Sequence, residues 1–324
     1  MNRNHRLELI QKIENNRNSA LISYIAGDRE NISTRIAPDS IRVIYRHLEN
    51  LKEYDKIDMF LYTRGGDVLT PWRLINLIRE YTDEFNVIVP FRAYSAGTLI
   101  CLGANTVIMG KMGELGPIDP VVANAFNPKD PNDPSTRIPI SVEDVSSYFD
   151  LARGKGNLSD EESHIMTFSH LVENVHPLSL GNVHRNYLLI RTIARKLLRL
   201  SNEIKDKNKI DAVVDYLTKN LYAHNYMISR KEARDDIGLN IMEPDPELEE
   251  LIWELYKVYE EDLSLREAFN PVLNMQEYGQ YEFTVVGGII ESDSNLDYFE
   301  YKGQIDGKRE GDVKISSQKW TQKI

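Results

Sequence analysis

The chain has 324 residues and a formal net charge of −11 at pH 7, with 41% hydrophobic and 27% charged residues. This composition is typical of a folded globular protein with one large domain or two smaller ones. The acidic balance argues against a general binder of nucleic acids or anionic membranes. Cys101 is the single cysteine, which excludes an internal disulfide and an all-cysteine metal site.

The sequence also has no segment that resembles a membrane span, which would need roughly 18 to 20 consecutive apolar residues. The polar first residues lack the apolar stretch of a signal peptide. We therefore expect a cytoplasmic protein without a membrane span.

Predicted helices and strands alternate over the first 110 residues, as their apolar patterns show. They are a helix at Arg6–Glu14, a strand at Ala20–Ile25, a helix at Asp39–Leu51, a strand at Ile57–Thr63, a helix at Pro71–Tyr81, a strand at Asn86–Phe91, a helix after Ser95 and a strand at Thr106–Gly110. Strands that alternate with helices of about ten residues favour right-handed crossovers. The sequence predicts an α/β core with a mostly parallel sheet.

The middle of the chain is interrupted by a long proline-rich segment. From Val121 to Asn157 the prolines predict a surface insertion without regular elements, extending in all over residues 121–175. Helical patterning returns at Ser159–Glu173 and again at Val183–Leu200. The second of these helices is apolar around most of its circumference, which indicates neighbours on several sides. Another subunit is one candidate for such a neighbour.

Most of the negative charge lies near the C-terminus. Nine acidic residues and one lysine fall between Glu243 and Asp262, where apolar residues at helical spacing predict an amphipathic helix. A solvated acidic face is the expected interpretation, and a partner-binding surface is the alternative. Tyr281–Ile290 and Leu296–Ile305 predict a β-hairpin, and the polar tail from Gly307 is expected to be frayed.

Three short motifs follow predicted strands of the core. The first is Thr63-Arg64-Gly65-Gly66-Asp67, whose glycine pair can turn backbone N–H groups outward toward an anion. The second is Tyr94-Ser95-Ala96-Gly97-Thr98, in which a serine opens a helix. Because parallel strands end at the same edge of a sheet, glycine amides and a serine hydroxyl are expected to converge there.

The third motif is GELGPIDP, at residues 113–120, where prolines on both sides of Ile118-Asp119 fix the direction of the Asp119 carboxylate. Each motif taken alone is also compatible with an ordinary turn or helix N-cap. Their ordered occurrence is more specific than any one of them.

Together with SRKEARDDIGLNI at residues 229–241, these motifs resemble the serine dehydrogenase proteinase family, whose fold is of the Clp-protease and crotonase type. The resemblance extends from Arg6 to Ile241. It implies a (ββα)-repeat α/β core with a mostly parallel sheet over residues 1–242. The predicted acidic helix and β-hairpin form a C-terminal extension over residues 243–324, which lies outside the resemblance.

The resemblance also implies roles for individual residues. Ser95 matches the catalytic nucleophile, and the backbone amides of Gly65 or Gly66 together with Ala96 match the oxyanion hole. The long helix Val183–Leu200 matches the helix that mediates oligomer contacts. A serine peptidase, assembled as a homo-oligomer and acting on peptides or proteins without a cofactor or metal, is the implied function.

The general base departs from the family pattern. Asp119 occupies the position of the catalytic histidine of the Clp subunit, so another group must deprotonate Ser95. His224 lies near the position of the family's triad aspartate and would restore a Ser/His/Asp set by an exchange of positions. His176 is the second candidate, and a lysine such as Lys111 is a third, because signal peptide peptidase A, a relative, uses a Ser–Lys pair.

Two other functions remain open from the sequence. A catalytically inactive scaffold could keep the fold for partner binding, with the acidic helix as the docking face. An acyl-CoA enzyme of the crotonase type would need the oxyanion amides but no nucleophilic serine, and Ser95 argues against it.

Overall fold

The computed structural model describes residues 2–51, 54–118, 121–122, 124–201, 203–219, 221, 223, 225–270, 280–306 and 313–323. Its helices in chain order are α1 (Arg3–Arg17), α2 (Ser40–Glu49), α3 (Thr70–Arg79), α4 (Ala96–Leu102), α5 (Val142–Gly154), α6 (Glu161–Asn174), α7 (Pro177–Leu200), α8 (Lys207–Lys219), α9 (Arg230–Asp235) and α10 (Pro246–Asp262). Among the residues described, no helix combines the length and apolar character needed to cross a bilayer.

The strands form one large sheet and two small ones. They are β1 (Ala20–Ala26), β2 (Lys56–Tyr62), β3 (Glu84–Val89), β4 (Arg92–Ala93), β5 (Thr106–Met109), β6 (Glu114–Leu115), β7 (Val121–Val122), β8 (Ile140–Ser141), β9 (Ile228–Ser229), β10 (Ile241–Met242), β11 (Gln280–Glu291), β12 (Leu296–Asp306) and β13 (Val313–Lys323). The large sheet has the order β10-β5-β3-β2-β1-β11-β12-β13. Its first five strands are parallel, which confirms the mixed α/β class with a mostly parallel central sheet.

The parallel strands are buried because helices cover both faces of the sheet. Every residue of β1 is buried, and β2 is buried from Ile57 onward. On one face α2, α3, α4 and α7 pack into the larger core, and on the other α1 and α10 form a second core with residues such as Ile10 and Ile252. Each such side chain contributes about 1.5–3 kcal/mol through its burial, so the ends of these strands have a rigid support.

The three C-terminal strands continue the same sheet with the opposite direction. β11 pairs antiparallel with β1, and β12 then pairs antiparallel with β11. The expectation of a frayed tail after Gly307 is wrong over residues 313–323, because these form β13, which pairs along β12. The division at residue 242 stays a prediction, although hydrogen bonds of one sheet connect the two sides of it.

The expectation of an insertion without regular elements is also wrong in part. Residues 142–154 form α5, whose N-cap Ser141 accepts a hydrogen bond from the backbone N–H of Asp144. Acidic side chains in the first turn of α5 further stabilise its N-terminus. The proline-rich residues before Ile140 contain only short β contacts within the described range.

The acidic side chains around α10 are engaged within the chain. Glu243 forms ion pairs with Arg230 and Arg234 of α9. Glu249 accepts a hydrogen bond of 2.8 Å from the backbone N–H of Lys111. These contacts make part of the predicted solvated face an internal connection between α10, α9 and the turn after β5.

Candidate active site

The glycine pair and Ser95 lie side by side at the carboxyl edge of the parallel sheet. Gly65 and Gly66 follow β2, and Ser95 lies between β4 and α4. A Cβ atom built on Gly65 would be 2.8 Å from the Cβ of Ser95 and 3.3 Å from its Oγ. Only glycine can approach Ser95 this closely, so the structure brings the first two motifs into direct contact.

The backbone of Ser95 has an unusual conformation. Its φ is 52° and its ψ is −108°, a region that non-glycine residues rarely adopt and that costs about 1–3 kcal/mol. Ser95 occupies the N-cap position of α4, but its side chain makes no capping hydrogen bond. The hydroxyl group therefore does not have the ordinary role of a serine at a helix start.

The backbone amides next to Ser95 differ in their partners. The Gly65 N–H donates a hydrogen bond of 2.9 Å to the Thr63 hydroxyl. Gly66 pairs with Ile36 through its neighbours: the Ile36 N–H donates to the Gly65 carbonyl at 2.9 Å, and the Asp67 N–H donates to the Ile36 carbonyl at 2.8 Å. By the alternation of an extended chain, the Gly66 N–H points away from Ile36.

The N–H groups of Gly66 and Ala96 have no hydrogen-bond acceptor among the described residues. Ala96 is buried and Gly66 is half-buried, and backbone donors at such positions rarely lack a protein partner. Both residues adjoin Ser95 or its immediate contact Gly65, so these two amides are available to an oxygen atom placed beside the serine.

Ser95 opens into a cleft of about 490 Å³. Its described lining includes Asp28, Arg35, Arg64, Gly66, Ser95 and Asn186. A larger cleft of about 880 Å³ lies at the opposite ends of β2 and β3, beside Lys56 and Glu84. Because residues of the first two motifs line the smaller cleft, it is the cleft that has room for a ligand beside Ser95.

Charged and phenolic side chains form a hydrogen-bonded and ion-paired network next to the cleft. Asp28 accepts a hydrogen bond of 2.6 Å from the Tyr62 hydroxyl and forms ion pairs with Arg64 at 3.1 Å and Arg92 at 3.3 Å. Tyr94, next to Ser95, donates its hydroxyl proton to Glu114. Burial and the Glu114 carboxylate raise the pKa of Tyr94 to about 12, so its phenol stays protonated at neutral pH and is unsuited to act as a base.

His176 has a helix-capping position. Its Nδ1 accepts a hydrogen bond of 3.2 Å from the Leu178 N–H at the start of α7, and its ring stacks on Phe126 with centroids 4.9 Å apart. Ten helical residues separate it from Asn186 in the cleft lining, a distance of about 15 Å along α7. The structure does not bring His176 to the cleft that holds Ser95, and its role as a base stays a prediction.

The remaining residues considered for proton transfer are Lys111, Asp119 and His224. Lys111 is exposed, in the turn whose backbone bonds to Glu249. Asp119 and His224 lie outside the described residues, so their roles also stay predictions.

A serine–histidine–aspartate cluster that the sequence did not predict lies away from Ser95. His47 Nδ1 lies 2.8 Å from Ser292 Oγ, and His47 Nε2 lies 3.1 Å from Asp297 Oδ2. All three residues are buried, so no substrate can reach them. The cluster connects α2 to the turn between β11 and β12. The 245 residues between His47 and Ser292 leave no local motif that could have revealed it.

The N-terminal part of the chain matches a known family. The model of the family described as ClpP-like SDH-type serine proteinase matches residues 1–130, a range that includes three of the four motifs. An uncharacterized protein of Methanocaldococcus jannaschii is 32% identical over 111 residues, which are 32% of this chain and 38% of that protein. The chain thus aligns with well under two thirds of the relative.

The matched segment includes the glycine pair and Ser95 with the strands that position them. Residues 1–130 are therefore similar to the ClpP-like SDH-type serine proteinase family, the resemblance that the motifs had indicated.

Proposed function

We propose that the protein is a serine peptidase that hydrolyses peptide bonds through Ser95. The observation that carries this proposal is the uncapped Ser95 hydroxyl on a strained strand-to-helix junction, in contact with Gly65 and open to the cleft. A structural N-cap would gain nothing from such a conformation. A nucleophile does, because the junction holds its oxygen toward a bound carbonyl.

Gly66 and Ala96 are the proposed oxyanion donors. Their N–H groups lack an acceptor among the described residues, whereas the Gly65 N–H is occupied by Thr63. Two amides aimed at the developing oxyanion stabilise the tetrahedral intermediate more than the ground-state carbonyl. Of the two glycines that the sequence left open, Gly66 is therefore preferred.

The proposed base is His224, oriented by Asp119. In the proposed reaction the Ser95 Oγ attacks the scissile carbonyl carbon and its proton passes to the imidazole, which then gives it to the leaving amine. Water hydrolyses the acyl-enzyme with the same base. His176 and Lys111 are the remaining candidates, and the capping bond of His176 makes His224 the stronger of the two histidines.

The expected homo-oligomer also stays a proposal. Ile165 and Met166 on α6 and Leu178 on α7 are more than half exposed. Such side chains are typical of contact surfaces. Sedimentation velocity at micromolar concentration would measure the assembly.

The proposal is tested by hydrolysis of an unstructured protein labelled with a quenched fluorophore. Ser95→Ala should lower the rate at least about 10³-fold, because the nucleophile is removed. Ser292→Ala is the matched control, since it removes the serine of the buried cluster formed with His47 and Asp297, which a substrate cannot reach. Full activity in Ser95→Ala would refute the assignment of Ser95 as the nucleophile. An inactive wild-type protein would favour the scaffold function.

A further inference from the structure

One wall of the Ser95 cleft is formed by a loop that follows β1. We define the wall loop as residues Gly27–Ile36; several of its members, including Asp28 and Arg35, line the cleft. Its last residue, Ile36, is hydrogen-bonded on both sides of Gly66, to Gly65 and to Asp67. The position of the wall loop therefore determines both the shape of the cleft and the placement of the glycine pair.

The wall loop is held by polar contacts from the C-terminal part of the chain. Its first residue, Gly27, donates to the Gly287 carbonyl of β11 at 3.0 Å. The Tyr301 hydroxyl of β12 donates to the Ser33 carbonyl at 2.8 Å. These two bonds connect both halves of the loop to the antiparallel strands.

The segment between α10 and β11 adds further contacts. Arg29 donates from Nε to the Glu267 carbonyl at 2.8 Å, and its guanidinium lies over the ring of Phe269 at 5.4 Å. The Phe269 N–H donates to the Glu30 carbonyl at 2.9 Å, and the Asn31 side-chain amide donates to the Phe269 carbonyl at 3.2 Å. The exposed side of the loop is thus bound to a second C-terminal segment.

Apolar packing completes the attachment. Ile32, only 4% exposed, packs in one cluster with Phe299 and Tyr301, with Phe269 against it. Gly287 leaves the space for this contact: a Cβ there would lie 2.5 Å from the Tyr301 ring and 2.6 Å from Thr34 Oγ1. The loop and the strands are therefore packed closely enough that a shift of one moves the other.

We propose that the C-terminal segments 263–270 and 280–301 position one wall of the peptide-binding cleft, and that Tyr301 is a positioning residue that fixes the wall loop and, through Ile36, the Gly65–Gly66 pair. The proposal rests on the proposed peptidase function. The family match ends at residue 130, so this role of the C-terminal region lies beyond the matched segment.

The test is steady-state kinetics of Tyr301→Phe together with hydrogen exchange of the full chain. Loss of one hydrogen bond at the wall should raise KM roughly three- to tenfold through the wall loop and lower kcat by a smaller factor through the Gly65–Gly66 pair. It should also speed amide exchange at residues 33–36 and 65–67. Tyr281→Phe is the matched control, because it removes a hydroxyl from β11 that makes no hydrogen bond to the wall loop. Phe269→Leu, which loses the ring beneath Arg29, should act in the same direction as Tyr301→Phe.

Two results would overturn the proposal: kinetics and exchange in Tyr301→Phe that equal those of Tyr281→Phe, or faster exchange over the whole chain, which would show general destabilisation instead. If the wild-type protein hydrolyses nothing, the proposed function fails, and exchange alone decides the inference. Faster exchange confined to residues 33–36 and 65–67 would still support the connection from Tyr301 to the glycine pair.

Discussion

The parallel strands and the antiparallel strands of the central sheet contribute to the candidate site in different ways. Gly65 and Gly66 follow the parallel strand β2, and Ser95 follows the parallel strand β3 after the short strand β4. The antiparallel strands β11 and β12 supply none of the residues proposed for catalysis and instead hold the wall loop through Gly287 and Tyr301. A region without recognisable motifs is thus connected to the candidate site by hydrogen bonds to the wall loop.

The largest stability effect is expected in the antiparallel part. The buried Glu291 of β11 accepts hydrogen bonds from Arg6 at 2.6 Å and Tyr259 at 3.0 Å. Glu291→Gln should lower the free energy of unfolding by about 3 kcal/mol, because it removes one of the two carboxylates, Glu291 and Asp262, that pair with the buried Arg6. Urea denaturation measures this, with exposed Glu282→Gln on the same strand as the control. Equal midpoints for the two variants would mean that the antiparallel strands are not fixed through this ion pair.

A substitution beside Ser95, at the end of a parallel strand, should instead lower the rate of hydrolysis. Gly65 has a φ of 113° and would place a Cβ 2.8 Å from that of Ser95. Gly65→Ala should lower kcat about 10²-fold by displacing the serine and the neighbouring amide. Gly181→Ala in α7, where a Cβ meets no atom within 4 Å, is the control, and it should leave kcat unchanged. A fully active Gly65→Ala would show that the close contact with Ser95 is not required.

The smallest effect concerns acid stability of the antiparallel part. Burial alone would raise the pKa of Asp297, but hydrogen bonds from His47 and Arg46 outweigh it and hold that pKa below its ordinary value. A carboxylate with a lowered pKa stabilises the fold above its unfolded-state pKa of about 3.9, and this contribution is lost as the pH falls through the native pKa.

Urea denaturation at several pH values checks this expectation. The free-energy difference between wild type and Asp297→Asn should be constant at neutral pH and shrink below about pH 4. A difference that does not change with pH would show that the ionised carboxylate of Asp297 does not stabilise this region.

The parallel core could be predicted from the sequence because its signals are local. The strand predicted at Ala20–Ile25 is β1, found at Ala20–Ala26, and the convergence of the glycine pair with Ser95 follows from parallel strands alone. Buried parallel strands are continuous apolar runs. Such runs can be recognised without knowledge of their partners.

The C-terminal strand β13 could not be predicted in the same way. Its residues are mostly exposed and polar, and it is an edge strand whose backbone pairs with β12. Trp320 anchors it, with ring centroids 5.2 Å from Phe299 and 6.1 Å from Tyr24. Lysines on such an edge discourage pairing with other chains, but they also remove the apolar alternation by which a strand is recognised.

The contacts that hold the wall loop and the acidic side chains also could not be predicted from the sequence, because they join residues that are far apart in the chain. Tyr301 and Ser33 are 268 residues apart, and Asp262 meets Arg6 across 256 residues. No periodicity or spacing in one sequence records such pairs. The general base could not be identified from the sequence for the same reason, because a residue that is close to Ser95 in the fold can be far from it in the chain.

A fluorophosphonate probe tests most directly whether Ser95 is the nucleophile. After reaction with the intact protein, mass spectrometry of the peptide fragments should find the phosphonyl adduct on Ser95, with no labelling in Ser95→Ala and unchanged labelling in Ser292→Ala. An adduct on another residue that persists in Ser95→Ala would contradict the assignment of Ser95 as the nucleophile.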